Sequence, residues 1–304
     1  MRTVIAVLCG MAVCFSGAFL LAADIPASAE SPVTLRRSGC QCRQCYIAET
    51  PNFQIHCCTS PERLHELAAA CERLKARSQT LWLSETATSK TWQPRCEVVV
   101  HSSVAAYSRT LGPGSERTSG CSTVRLHQGR VAARRIDLRS DADGWLSDTL
   151  PHELTHVVLA DRFTERRIPA WADEGIAMLA ESPDKLQRRL NELRGLVVTG
   201  GTLRLSQLVS LENGPASSQR AAFYGQSVTL AGLLLERGTP QQLLQFVESG
   251  QRDGHDKALR DVYGITSWSA LESDWQSYAG SQRLRMLAQQ ALPTIKSDTI
   301  AALQ

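Results

Sequence analysis

Apolar and polar positions recur along this chain in two textures. From Asn52 to Cys58 the alternation has the period of two that marks a short strand. Ser60-Pro61 then opens a helix, with Pro61 in the tolerant first position and Leu64, Leu67, Ala68, Cys71, Leu74 and Leu81 on one stripe. Cys96 to His101 reads as a buried strand, followed by a short helix to Leu111, and Gly112-Pro113-Gly114 marks a loop. Cys121 to His127 and Val131 to Leu138 flank Gln128-Gly129 as the two arms of a hairpin. Residues 30 to 50 are polar and show no periodicity. From Trp145 onward the texture becomes helical, with helices predicted near 145–160, 169–181, 183–194, 217–236, 239–249 and 267–278 between Gly, Pro and Ser breakers. The predicted fold class is α+β, a small mixed sheet in the N-terminal half packed on a helical C-terminal half.

The first 29 residues stand apart from this pattern. Arg2 supplies a positive start, Val4 to Leu21 is an uncharged apolar stretch, and Ala27-Ser28-Ala29 offers the small residues that a signal peptidase reads. A signal peptide over 1–29, cut before Glu30, is therefore expected, with an earlier cut after Ala23 as the alternative site. The competing reading is an uncleaved anchor, since the stretch reaches the lower length limit for spanning. Gly10, Gly17 and the small residues at the end favour cleavage. The expected location is exported (periplasmic, cell-envelope or extracellular), with no stable membrane span after cleavage.

Charge and cysteine content change the picture at two points. With 33 basic against 30 acidic side chains, a net charge of +3 and no polybasic run, the chain is not a nucleic-acid binder that works by bulk basicity. All 10 cysteines lie at or before Cys121. Those beyond the signal peptide, Cys40, Cys42, Cys45, Cys57, Cys58, Cys71, Cys96 and Cys121, read first as disulfides in an exported chain. A thiolate metal knot is the second reading, because Cys40-x-Cys42-x-x-Cys45 followed by Cys57-Cys58 has ligand-like spacing. Cys96 is expected to pair with Cys121, both sitting at strand starts. The organisation expected is a Cys-rich segment over 30–51, a main domain over 52–280, and a C-terminal helix and tail over 281–304.

Chemistry concentrates where the two textures meet, at Pro151-His152-Glu153-Leu154-Thr155-His156. A helix turns about 100° per residue, so His152 and His156 point the same way one turn apart and can grip one metal ion. Glu153 lies about 100° round the face, placed to reach an attacking water rather than the metal. Thr149 or Asp148 is expected to cap the helix start, which leaves Pro151 in its first turn; in a helix starting near Trp145, Pro151 must introduce a kink. A catalytic zinc needs a third protein ligand. Leu159 and Arg162 occupy the positions where a metzincin needs Gly and His, and Asp161 is too close on the same helix to swing back. Pro169 to Ala177 offers a second helix with acids near its start, and the interval from His156 to Glu174 is long enough for the chain to turn and return antiparallel. Glu174 is the expected third ligand, with Asp173 more suited to holding a ligand imidazole in its tautomer or capping the helix.

With these residues in place the sequence resembles the gluzincins, zinc metallopeptidases that use His-Glu-x-x-His plus a downstream Glu. More narrowly, it resembles the peptidase MA-like domains of exported bacterial proteins. Leu150 to Val158 and Pro169-x-Trp171-x-x-Glu174-Gly175-x-Ala177 match that family's two central motifs. Tyr224-Gly225-Gln226-Ser227 is similar to its later helix, as are Tyr263-Gly264 and Leu271-Glu272-x-x-Trp275, so that the likeness runs from about 52 to 278. The Gly-x-Met-Glu-Asn of the aminopeptidase branch is absent, and Met178 stands where thermolysin-like enzymes have Asp.

The resemblance implies a zincin-like fold with the active-site helix at the cleft, one Zn²⁺ per chain held by His152, His156 and Glu174, and a peptide or protein substrate. Glu153 would be the general base. The resemblance puts a Tyr beside the site, making Tyr224 the expected oxyanion donor, with a half-buried core Tyr as the competing reading. It also suggests that Arg134 to Arg139 forms an edge strand pairing with substrate, whose Arg134, Arg135 and Arg139 favour acidic peptides or simply blunt the edge. Gln187-Arg188-Arg189 reads as a solvated helix face, and His255 as a histidine in an exposed loop. His56, His65, His101 and His127 are expected to be structural or surface residues. Two other functions stay open at this point, a non-catalytic binding or scaffold module that keeps the fold, and a zinc hydrolase acting on a non-peptide bond. A structural zinc site would not need Glu153.

Overall fold

The computed structural model describes residues 31–39, 45–84, 91–211, 214–279 and 281. The expected signal peptide, Cys40 and Cys42, and the tail beyond 281 lie outside the described residues.

The N-terminal side is built on a six-stranded mixed sheet. Its strands are β1 (Thr34–Arg37), β2 (Cys45–Glu49), β3 (Phe53–Cys58), β4 (Cys96–His101), β5 (Gly120–His127) and β6 (Arg130–Arg139), in the order β1-β2-β3-β4-β6-β5. Helix α1 (Pro61–Leu83) carries the chain from β3 to the parallel strand β4, starting at Ser60, whose hydroxyl accepts from the Arg63 N–H, with Pro61 in its first turn. After α2 (Val104–Leu111) the chain makes the β5–β6 hairpin, and β6 returns parallel to β4. The hairpin turns on Gln128 (φ 49°) and Gly129 (φ 68°), the left-handed pair of a two-residue turn.

The helical side holds α3 (Leu150–Leu159), α4 (Ala170–Met178), α5 (Pro183–Thr199), α6 (Leu205–Val209), α7 (Arg220–Glu236), α8 (Pro240–Asp253), α9 (His255–Tyr263) and α10 (Trp268–Ala279). Two cores meet at α3. Leu150, Leu154, Val157 and Val158 join Phe53, Ile55, Leu64, Leu67, Val98 and Ile136 under the sheet. Leu159 joins Trp171, Phe223, Phe246 and Trp275 in the helical core. The His-Glu-x-x-His helix thus has its apolar face sunk between both halves, which leaves His152 and His156 on the opposite face.

Several expectations need correction. Residues 30 to 50, aperiodic as sequence, carry β1 and β2. β1 is a short polar edge strand, and β2 buries the adjacent residues Ile47 and Ala48, so neither shows alternation. Cys96 and Cys121 are not paired with each other; both are free thiols, and the disulfide joins Cys45 to Cys58, which face each other across β2 and β3. The chain coils from Trp145, where a five-residue π-helical turn (Trp145–Thr149) widens the backbone just ahead of Pro151. Neither Thr149 nor Asp148 caps α3. The Thr149 hydroxyl lies 2.9 Å from the Ser119 hydroxyl, and the Asp148 carboxylate accepts from the Ser182 N–H at 2.6 Å. His255 opens the helix α9 and is half-buried, its ring 6.4 Å from that of Phe246.

Candidate metal centre

α3 projects His152 and His156 from one face, with Glu153 about 100° round toward β5, and α4 returns across the pair with Asp173 and Glu174 near its start. The Nε2 atoms of His152 and His156 are 3.1 Å apart, and His152 Nε2 lies 3.6 Å from Glu174 Oε2. One donor atom from each of His152, His156 and Glu174 falls within 4.8 Å of the others. Two nitrogens bound to one zinc at about 2.0–2.1 Å in tetrahedral array lie about 3.3 Å apart, so the donor spacing suits such an ion. Glu153 is 8% exposed and sits beside the pair on the same helix.

The electrostatics also ask for a cation. Burial opposes protonation of His152, yet Glu174, Glu181 and Glu153 outweigh it and push the imidazole up to about 10. His156 is likewise opposed by burial and held up by Asp173. Glu174, despite burial, is held below the usual carboxylate range by the two imidazoles. A concentration of acidic groups that raises the proton affinity of two histidines is one in which a divalent ion can take the place of the protons.

The outer nitrogens of the two rings are also engaged. His156 Nδ1 lies 2.7 Å from Asp173 Oδ1, the tautomer-holding contact expected of Asp173. His152 Nδ1 lies 3.1 Å from Glu181 Oε1, an ion-pair contact whose angle falls short of a hydrogen bond. Glu181 escaped the sequence reading, because it follows α4 by a turn and no helical spacing ties it to the motif. Arg189 is not on a solvated face. Its Nε and Nη2 each donate to Glu181 at 3.0 Å, and its guanidinium lies 5.7 Å from the centre of the Tyr224 ring. Tyr224 is partly buried against the helical core, with Phe223 edge-on at 5.5 Å; burial first, then the charge of Glu174, raises its hydroxyl pKa.

Two glycines set the close approaches. A Cβ on Gly175 would meet the Ser227 carbonyl oxygen at 2.5 Å, so only glycine lets α4 lie this near α7. A Cβ on Gly120 would meet Thr149 Cγ2 at 2.4 Å and Glu153 Cγ at 3.0 Å, so the start of β5 rests on the active-site helix beside Glu153.

The edge-strand expectation is overturned. β6 lies inside the sheet between β4 and β5, and β5 is the edge. Arg134 is buried, pairs with Asp161, donates to the Pro94 carbonyl at 2.9 Å and stacks over Trp92 at 4.8 Å. Arg135 bonds Asp137 and Glu97, and Arg139 bonds Asp141 and the carbonyls of Glu116 and Thr118. These arginines join elements of the fold and are not offered to a peptide. Asp161, set aside as a ligand, anchors Arg134 and accepts from Trp92 Nε1 at 2.6 Å just beyond the end of α3. Of the remaining histidines, His56, His65, His101, His127 and His255, none joins the cluster. His101 instead pairs with Asp137 at 2.8 Å.

No curated protein matches the chain. Residues 131–281, from β6 through both motif helices to the end of α10, match the family model of the Peptidase MA superfamily. Through that segment the chain is similar to the Peptidase MA superfamily.

Proposed function

We propose that the protein is an exported zinc-dependent metallopeptidase, with a catalytic unit over 52–280 extended at one edge by β1 and β2. The observation that carries this reading is the convergence of His152, His156 and Glu174 within 4.8 Å beside Glu153, in a family of peptidases. A zinc ion held there supplies a Lewis acid that polarises a carbonyl and acidifies water. Glu153, on the same face of α3 and shielded from bulk water, accepts the proton of the attacking water and passes it to the leaving amine. Asp173 holds the Nδ1–H of His156, so that Nε2 is the free donor.

Tyr224 supplies a hydroxyl to the developing oxyanion. Its closeness to Glu174 and the guanidinium stacked on its ring support that role. The substrate strand lies along β5, which is an open edge and begins against Glu153. The Cys45–Cys58 disulfide supports an oxidising, exported setting. Among the described residues no helix is long and apolar enough to cross a membrane.

The experiment is to measure zinc in the purified chain and cleavage of a broad peptide library by wild type and Glu153→Gln. One zinc per chain with cleavage lost in Glu153→Gln is expected. Zinc bound but no cleavage by either protein would sink the peptidase assignment and favour the scaffold reading.

A further inference from the structure

We propose that Glu181 is a positioning residue that sets the ring of His152 for metal binding, and that Asp148, Lys185 and Arg189 hold Glu181 in place. The inference rests on the zinc-site reading above.

Glu181 is 2% exposed, an unusual place for a carboxylate unless its charge is used. Its Oε1 lies 3.1 Å from His152 Nδ1, on the side of the ring away from the metal-facing Nε2. A carboxylate at that distance restrains the ring and favours the tautomer with its proton on Nδ1, which leaves Nε2 for a metal. His156 has Asp173 for this purpose, from the residue preceding the Glu174 ligand. His152 has no such neighbour in either motif helix, since Met178 occupies the position one turn beyond Glu174.

Two residues of α5 fix the carboxylate, and the π-helical turn fixes the backbone beside it. Lys185 Nζ approaches Oε1 at 3.2 Å, and Arg189 donates to both oxygens at 3.0 Å, so two cations from α5 neutralise a buried anion. The next residue, Ser182, donates its N–H to Asp148 Oδ1 at 2.6 Å, and Asp148 belongs to the π-helical turn that leads directly into α3. A Cβ on Gly144 would meet Asp148 Oδ2 at 2.3 Å, so the glycine leaves the space in which that carboxylate sits. The backbone beside Glu181 is thereby tied to the start of the helix that carries His152. Joining α4 to α5 by an ion pair would need the Arg189 fork alone. It would not need the approach to His152 or the tie to Asp148.

The test uses the full-length chain and its Glu181→Ala and Glu181→Gln variants. Zinc dissociation constants come from competition with a chromophoric chelator, and the visible spectrum of the cobalt(II) form reports ligand geometry. Zinc affinity is expected to fall about 10–100-fold in Glu181→Ala, and less in Glu181→Gln, whose amide oxygen can still accept from Nδ1–H. The cobalt bands should shift in both. A residue that only joins helices would lower the melting temperature and leave zinc affinity and the cobalt spectrum where they are in wild type. That result in either folded variant overturns the proposal. If Glu181→Ala does not fold, Glu181→Gln, nearly isosteric, decides alone. Failure of the wild type itself to bind zinc would refute the zinc-site reading and this inference with it, whereas zinc-loaded wild type with indifferent variants refutes only the inference.

Discussion

Gly175→Ala tests how closely the metal centre depends on helix packing. The added Cβ would stand 2.5 Å from the Ser227 carbonyl oxygen and 2.8 Å from its carbon, both backbone atoms of α7 that cannot rotate away. An ordinary contact of about 3.4 Å requires α4 and α7 to part by about 0.9 Å, since neither rotamer change nor a flexible side chain relieves the clash. Overpacking of this kind costs about 1–3 kcal/mol. For a domain of this size that is a fall in melting temperature of about 2–12 °C. The neighbouring residue is Glu174, the proposed third ligand, so a displacement approaching 1 Å should also weaken zinc binding by about tenfold or more.

The control is Gly195→Ala, at an exposed position of α5, where an added Cβ meets nothing within 4 Å. That substitution removes a helix-interior glycine and should stabilise by about 0.5–1 kcal/mol, with zinc affinity unchanged. Thermal melts and zinc competition titrations on both proteins read the outcome. A Gly175→Ala protein with wild-type stability and wild-type zinc affinity would show that the α4–α7 approach does not govern the site.

Other outcomes follow from the same geometry. In chelator, the raised pKa of His152 adds stability that is whole below the unfolded histidine value of about 6.5 and fades as pH climbs through about 10, so the zinc-free melting temperature should fall over that window while zinc-induced stabilisation grows; parallel slopes with and without zinc would contradict it. Arg134→Met leaves Asp161 without its cation and removes one of the two cations over the Trp92 ring, and urea unfolding should show a loss of up to about 3–5 kcal/mol with zinc stoichiometry kept. Reduction of Cys45–Cys58, which closes a 13-residue separation, should cost about 3 kcal/mol without releasing zinc; stoichiometric release on adding reductant would move the metal to the thiolates.

The chemistry of α3 was legible because helical spacing alone puts His152 and His156 on one face, and Asp173 was legible as a holder of a ligand ring because it precedes Glu174 on the same helix. The α4–α7 contact left a trace in Gly175 and Ser227, recognisable only as resemblance until the backbones are seen to touch. What escaped were pairings set by topology. β6 reads like an edge strand until the α2 excursion returns the chain to lie beside β4, leaving β5 outermost. The disulfide partner of Cys45 is decided by the β2–β3 register, not by which cysteines start strands. Glu181 reaches His152 through a turn after α4, for which no periodicity gives a signal. α9 was hidden by Gly254, whose φ of 89° separates it from α8 in a stretch that reads as one loop.

The central claim is that one zinc is held by two imidazoles and a carboxylate, with Glu153 close by and not bound. X-ray absorption at the zinc edge of the metal-loaded chain tests it most directly. Nitrogen and oxygen neighbours only are expected, at about 2.0–2.1 Å, with the outer-shell pattern of two imidazole rings. Sulfur neighbours at about 2.3 Å would contradict it and place the metal among the cysteines.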